Sequence, residues 1–373
     1  MNLKKILRNK IFTEKRGVPE TRTIPGTTSK RVPLSFMIVF WGIIFFSGCT
    51  KNNAPPFPVF TLPPGTAFRL SQPVPVVASG QKIPRSLRYV GTLDGIASPS
   101  EGHFVVVGDQ SSIWKSDDGG VSWKRIAPPL MGDFYGIAFS SALVGWISGD
   151  DGVLLKTVDG GDHWTRVSVP VKDFFLQSIS FPDPLHGFIS GEKGIVLATS
   201  DGGASWKRLV VPTVQNLYGI AFLTPQHGYV AGWHRTFLET TDGGTTFHPL
   251  EMASERVTRQ EPSFNVLSTD GKRVLLAGDH GLVYYSPDGN SSHFSKLEIP
   301  VRNDLYGAAL LPDGSVALSG EGGILLSGKP GSAIEPVIKS EGDLSESDFL
   351  GVISSNGKLS AVGTLGVILT PAR

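Results

Sequence analysis

Catalysis and metal binding need particular side chains brought together, and this chain holds few such sets. Its eight histidines stand singly at 103, 163, 186, 227, 234, 248, 280 and 293, with no His-x-x-x-His pair, and its one cysteine is Cys49. A zinc centre needs three or four converging His, Cys or carboxylate ligands, so no metal is expected. Glycine is abundant, yet no Gly-x-x-x-x-Gly-Lys-Ser phosphate cradle occurs, and no cofactor is expected.

Two groupings remain. An acidic residue follows a recurrent glycine at Asp109, Asp150 (with Asp151 beside it), Glu192, Asp279 and Glu321. These residues form either an acidic ring or a Gly-Asp turn multiplied by duplication. The register is broken by Trp233-His234-Arg235, and the connection that follows carries Glu255-Arg256-Val257-Thr258-Arg259-Gln260-Glu261. Trp and Arg anchor protein interfaces because each combines a large contact area with directed donors. Trp233, His234, Arg235, Arg256 and Arg259 are therefore candidate contacts for an acidic or carboxylate-bearing partner; the alternative is a solvated insertion loop.

Composition narrows the choices. The 373 residues include 45 Gly and 27 Pro, 18 % are charged, and the net charge is +1. So even a balance leaves no field for nucleic acid, whose binding rests on phosphate neutralisation. Abundant glycine with 40 % hydrophobic residues points to many short strands and tight turns.

An internal repeat decides the fold class. A glycine ahead of a short apolar run recurs at 108, 149, 191, 232, 278, 320 and 363, giving periods of 41, 42, 41, 46, 42 and 43. Each period holds four strand-like runs; in the second they are 135–139, 144–148, 153–157 and 164–167. Four short strands per period, seven times over, predict an all-β, seven-bladed β-propeller spanning 85–373. The last repeat stops after its third strand. The N-terminal segment 86–90 is therefore expected to pair beside 366–370, completing the last blade and covering open edges. A ring closed on itself has no evident need to self-associate, so a monomer is expected.

The N-terminal part reads as an address. Residues 34–46 lack charge, Lys30 and Arg31 precede them, and Ser47-Gly48-Cys49 follows. A basic flank, a short apolar core and small residues before a cut site make a secretory signal over 1–48, although the basic stretch before it is unusually long and suggests a true start downstream of Met1. Thirteen apolar residues are too few for a bilayer, which takes ~20. The Phe46-Ser47-Gly48-Cys49 run resembles the bacterial lipobox, which implies lipidation at Cys49 and an extracytoplasmic, membrane-anchored lipoprotein. Prolines crowd 49–84, so this stretch is expected to be an extended tether.

The turn after the third strand carries the most specific motif. It reads Ser116-Asp117-Asp118-Gly119-Gly120-Val121-Ser122-Trp123, and it recurs as 157–164, 199–206 and 240–247, the last ending in Phe247. Asp288-Gly289 keeps part of it, while Lys329 and Ala372 replace the aspartate in the last two repeats. Asp accepts bonds from the turn's own amides and glycine takes the positive-φ positions, so these carboxylates are expected to be structural. The aromatic is expected to pack between blades, and Tyr135, Tyr218 and Tyr306 near the central channel.

These copies match the Asp-box, or BNR repeat. Sialidases, oligoxyloglucan-hydrolysing glycosidases, sortilin-type receptors and photosystem II assembly factors share it. Residues 219–244, Gly-Ile-Ala-Phe through Leu-Glu-Thr-Thr-Asp-Gly-Gly, most resemble the photosystem II assembly factors. That resemblance, over 85–373, implies a non-catalytic platform that binds a protein partner, such as a subunit of a membrane complex. The alternative is an envelope glycan-binding or sialidase-like glycoside hydrolase. Against it, Ile83-Pro84-Arg85 has the wrong order for the sialidase motif and falls before the ring.

Overall fold

The computed structural model describes residues 68–71, 91–252, 261–337 and 347–371. Within them lie seven four-stranded antiparallel sheets, six of them with their strands in simple meander order from the inside outward and the seventh with an N-terminal strand at its outer edge. The first blade is β2 (Leu93–Ser100), β3 (His103–Gly108), β4 (Ser112–Ser116) and β5 (Lys124–Arg125). The inner strands of the next five begin at Phe134, Leu176, Leu217, Phe264 and Leu305, and the seventh blade holds β26 (Phe349–Ser355), β27 (Lys358–Gly363) and β28 (Ile368–Pro371). The seven-bladed all-β propeller expected from the repeat is therefore present.

In the second to sixth blades the second strand is a continuous buried run, such as Gly145–Gly149 or Val274–Gly278, because neighbouring blades cover both of its faces. The core is divided among the blade seams. One cluster joins Val105, Val107 and Ile113 of the first blade to Ile147, Leu155 and Trp164 of the second. Corresponding clusters fill the following seams. Leu93, Phe104, Trp114 and Trp123 then meet Val362 and Ile368, so the first and seventh blades pack together and the ring closes through side chains.

The recurrent glycine is a matter of close approach. A Cβ at Gly108, Gly149, Gly191, Gly232, Gly278, Gly320 or Gly363 would come within 1.9–2.3 Å of the carbonyl oxygen just before the same blade's inner strand. Any other residue would force those strands apart.

One expectation needs correction. Residues 85–90 lie outside the described residues, and the strand beside β28 is β1 (Phe68–Ser71), in the register Phe68↔Pro371 through Ser71↔Ile368. Thus four residues of the expected tether take up sheet bonding. Cys49, the signal segment 1–48 and the rest of the tether lie outside the described residues. No helix among the described residues is long and apolar enough to cross a membrane.

Candidate partner-binding face

Blade-to-blade connections and the turns between second and third strands share one end of the channel, here the upper face. Hydrogen bonds establish this grouping. The residue after each recurrent glycine donates its amide to the carbonyl preceding its own inner strand, from Asp109 to Thr92 through Thr364 to Asp348, at 2.9–3.0 Å. The next residue then reaches the following blade. Gln110 donates its amide to Asp133 Oδ1 (2.9 Å), Lys193 to Asn216 Oδ1 (3.0 Å), His280 to Asp304 Oδ1 (2.9 Å) and Gly322 to Asp348 Oδ1 (3.0 Å). Sequence reasoning missed Asp133, Asp304 and Asp348 because it looked for acids after the glycine. Their signal was a common position, one residue before an inner strand.

The expected acidic residues do lie on this face, but they are not a uniform exposed ring. Glu192 is only 8 % exposed and its Oε2 accepts the Phe175 amide at 3.4 Å. Asp150 accepts the hydroxyl of Tyr135. Asp279 Oδ2 accepts the Ser263 amide (2.9 Å), and its Oδ1 accepts Asn265 Nδ2 (2.8 Å). Asp109 and Asp150 are half-buried, whereas Glu321 is exposed.

Three tyrosines come together with these acids, Tyr135, Tyr218 and Tyr306, each second in its inner strand and each buried. Burial, and after it neighbouring carboxylates, push the Tyr135 and Tyr306 hydroxyls far above the ordinary range, so they stay neutral donors. Around Tyr306 these carboxylates are Asp304, Asp348, Glu321 and Asp279.

In the fourth blade His234 and Arg235 take positive φ, +51° and +55°, as Gln110 and Ser111 do in the first, +55° and +60°. At the position of Arg235 the second, third and fifth blades have Gly152, Gly194 and Gly281, where a Cβ would lie 2.2–2.6 Å from a carbonyl oxygen of the following connection. Arg235 carries that Cβ, so the connection after the fourth blade must stand off, and here the repeat period lengthens to 46 residues. Arg235 Nη2 donates to Met252 O (2.7 Å), and the Trp233 and His234 rings lie 4.4 Å apart. Trp233 and Arg235 are half-buried and His234 is exposed, while Arg256 and Arg259 lie outside the described residues.

The Asp-boxes occupy the lower face and are structural, as expected. Thr157 Oγ1 donates to Asp159 Oδ1 (2.8 Å) and accepts the Gly161 amide (3.0 Å), and the same Oδ1 accepts the His163 amide (3.0 Å). Ser116–Asp118, Thr199–Asp201 and Thr240–Asp242 repeat the pattern. Against the effect of burial, the Ser122 amide and hydroxyl hold the Asp118 carboxyl down to about 2, and the Thr246 hydroxyl and amide hold Asp242 to about 2. At the ends of the inner strands of the second to fifth blades, a cavity of about 400 Å³ is lined by Ala138, Ile179, Phe181, Ile220, Phe222 and Leu267 among others. Among the described residues no group of three His, Cys, Asp or Glu side chains converges as a metal site.

The sequence profile described as "Photosynthesis system II assembly factor YCF48" matches residues 83–174, 122–213 and 204–311. The chain belongs to this YCF48 family. The solved structure titled "YCF48 bound to D1 peptide" matches with a TM-score of 0.64 at 18 % identity, over 87 % of this chain and 100 % of that one. YCF48 from Cyanidioschyzon merolae matches at 0.60 and 16 %, over 82 % and 98 %. An ancestral GH74 enzyme matches at 0.59 and 14 %, over 74 % of this chain and 44 % of the enzyme. At such identities these structures share a fold and no more with the chain. No curated protein sequence matches it. What joins it to the YCF48 family is the sequence of its first five blades.

Proposed function

We propose that this chain is a non-catalytic assembly factor that binds a polypeptide of a membrane protein complex on its upper face. The carrying observation is the broken repeat at the fourth blade, where the long, charged Arg235 holds a left-handed conformation (φ +55°) that the second, third and fifth blades give to glycine and the first to the small Ser111. Such strain costs about 1 kcal/mol and persists where it is compensated, as it is at binding sites. Trp233 and Arg235 there combine a broad ring with a guanidinium suited to a carboxylate. A family relative carries a D1 peptide in its solved structure, so a D1 segment is the first partner to test. A photosystem II role for this chain rests on that family membership.

Enzymatic activity is not part of this reading: the repeated carboxylates most open to suspicion, those of the Asp-boxes, are committed to turn amides. The platform is read as a monomer held on the extracytoplasmic side of a membrane by lipid on Cys49. Metabolic labelling with a palmitate analogue, lost in Cys49→Ser, tests that anchor.

The deciding experiment is fluorescence anisotropy with a labelled D1 peptide. Arg235→Glu combined with Arg256→Glu is expected to abolish binding with an unchanged circular dichroism spectrum. Undiminished binding by that variant removes the site, and no binding by the unaltered chain removes the D1 reading.

A further inference from the structure

The lower rim of the ring changes character between its third and fourth blades. In the first five blades the outer strand starts directly after the aromatic that ends the Asp-box, so its first residues lie at this rim. In the first three they include Lys124 and Arg125, Arg166, and Lys207 and Arg208. Lys124, Arg166, Lys207 and Arg208 are exposed, and their side chains have no partner among the described residues. The carboxylates of the lower turns, by contrast, are matched locally. Asp118, Asp159 and Asp201 accept turn amides. Lys115 Nζ stands 3.4 Å from Asp117 and 2.9 Å from Asp162, and His186 Nδ1 lies 2.9 Å from Asp183. Glu101 is the one acid of these turns that keeps no side-chain partner among the described residues.

The same three blades carry aliphatic side chains on the tips of their lower turns. Val121 and Val158 lie within the first and second Asp-boxes and are 45 % and 66 % exposed. Leu143 and Leu185, 58 % and 56 % exposed, sit in the turns between first and second strands. Their carbonyls accept the box amides of Gly160 and Gly202, each at 2.9 Å, which holds these tips against the boxes. In the fourth blade the equivalent carbonyl belongs to Gln226, the outer strand is His248–Pro249, and no large hydrophobic residue of the lower turns is exposed. In the fifth, Lys296 is paired with Glu298 at 3.4 Å, and the outer strand of the sixth carries Glu335. Cations beside singly projecting aliphatics suit a lipid headgroup layer: acidic headgroups attract the cations, and each aliphatic enters the acyl boundary separately. A polypeptide partner needs one continuous, close-packed contact, whereas these side chains stand on separate turns.

We propose that the lower rim of the first three blades docks on an anionic phospholipid surface, with Lys124, Arg166, Lys207 and Arg208 meeting the headgroups and the aliphatic turn tips entering beneath them. Contact on one side of the ring tilts the disc and leaves its upper face open. The site rests neither on the peptide partner nor on lipid at Cys49, and its test reads other residues.

The test follows an environment-sensitive fluorophore on Leu185→Cys in the full chain carrying Cys49→Ser. Vesicles of equal parts phosphatidylcholine and phosphatidylserine should shift its emission to the blue, and vesicles of phosphatidylcholine alone should not. A fluorophore on Lys272→Cys, in the lower turn of the fifth blade, should not respond. Lys124→Glu, Arg166→Glu, Lys207→Glu and Arg208→Glu together should raise the lipid needed for half the shift by about tenfold or more, because each cation near such a surface adds to the attraction. The same charge change elsewhere, Lys272→Glu with Arg302→Glu, Lys329→Glu and Lys358→Glu, should raise it far less. Circular dichroism should be unchanged in both. Vesicle binding through the basic and apolar residues 1–46 alone would leave the label at position 185 unmoved. That result, an equal shift at position 272, or equal losses from the two quadruple variants overturns the proposal. So does a shift given by polyglutamate and not by vesicles, which makes the rim a protein interface.

Discussion

Trp146 of the second blade lies against Gly203 of the third, so closely that a Cβ at 203 would come 2.1 Å from the ring's Cη2. Gly203 is the second glycine of the third Asp-box and has φ +76°. The same Trp146 ring stacks on Phe181 (5.4 Å between centroids) and meets Trp206 edge-on (5.9 Å). The Asp-box is thus a clamp that lets one blade's turn close over its neighbour's indole. Overpacking and the left-handed backbone should together make Gly203→Ala destabilising by about 2–4 kcal/mol. Gly119→Ala, at φ +75° with open space around it, should show the backbone cost alone, about 1 kcal/mol. Urea unfolding followed by tryptophan fluorescence compares the two, and equal losses would refute the clamp.

Acid should loosen the boxes. Asp118 and Asp242 have folded values of about 2, below the ordinary 3.8. A depressed folded value means that stability is present above 3.8 and is lost as pH falls through about 2. The melting temperature should therefore decline across that interval. An Asp118→Asn, Asp242→Asn double variant should melt lower at pH 7 and decline less on acidification. Parallel pH profiles would show that these carboxylates do not carry the effect.

Arg235→Gly restores the residue found in the second, third and fifth blades. Left-handed strain of about 1 kcal/mol is relieved, while the bond to Met252 O is lost. Stability is expected to change by less than about 1 kcal/mol, since the two effects oppose each other. Partner binding, in contrast, should fall at least tenfold. A variant that unfolds readily would make Arg235 structural, and one that binds normally would remove it from the interface.

Register in the seventh blade can be checked covalently. Arg69 faces Thr370 across the β1–β28 pair, and directly opposed antiparallel residues lie within disulfide reach. In a Cys49→Ser background, Arg69→Cys with Thr370→Cys should oxidise to a disulfide that shifts migration on a non-reducing gel. Arg88→Cys with Thr370→Cys should not. The reverse result would restore the pairing expected for segment 86–90.

Much of this architecture was legible before any coordinates. The recurrent glycine, the Asp-box and the aromatic that ends it each answer a local demand, such as a carbonyl with no room for a Cβ above it. Strand limits accordingly agreed to within a residue in the second blade, where the inner strand expected at 135–139 is Phe134–Phe139. The strand beside β28 was not legible. Phe68–Ser71 is only four residues long and pairs through backbone bonds that carry no side-chain signature.

The candidate site divided along the same line. Arg235 stood out because it breaks a repeat, and its left-handed conformation explains why the break matters. Asp304 and Asp348 conform to the repeat and so gave no alarm, although each accepts an amide from the turn of the preceding blade.

The sequence by itself determined how many sectors there are and how each turn is built, because turn chemistry and steric fit act over a few residues. Only the tertiary structure decided which strand lies at the last sheet's edge and which charges meet at the channel mouth. Those outcomes depend on residues far apart in the chain, whose distances are set by the packing of seven blades around one axis.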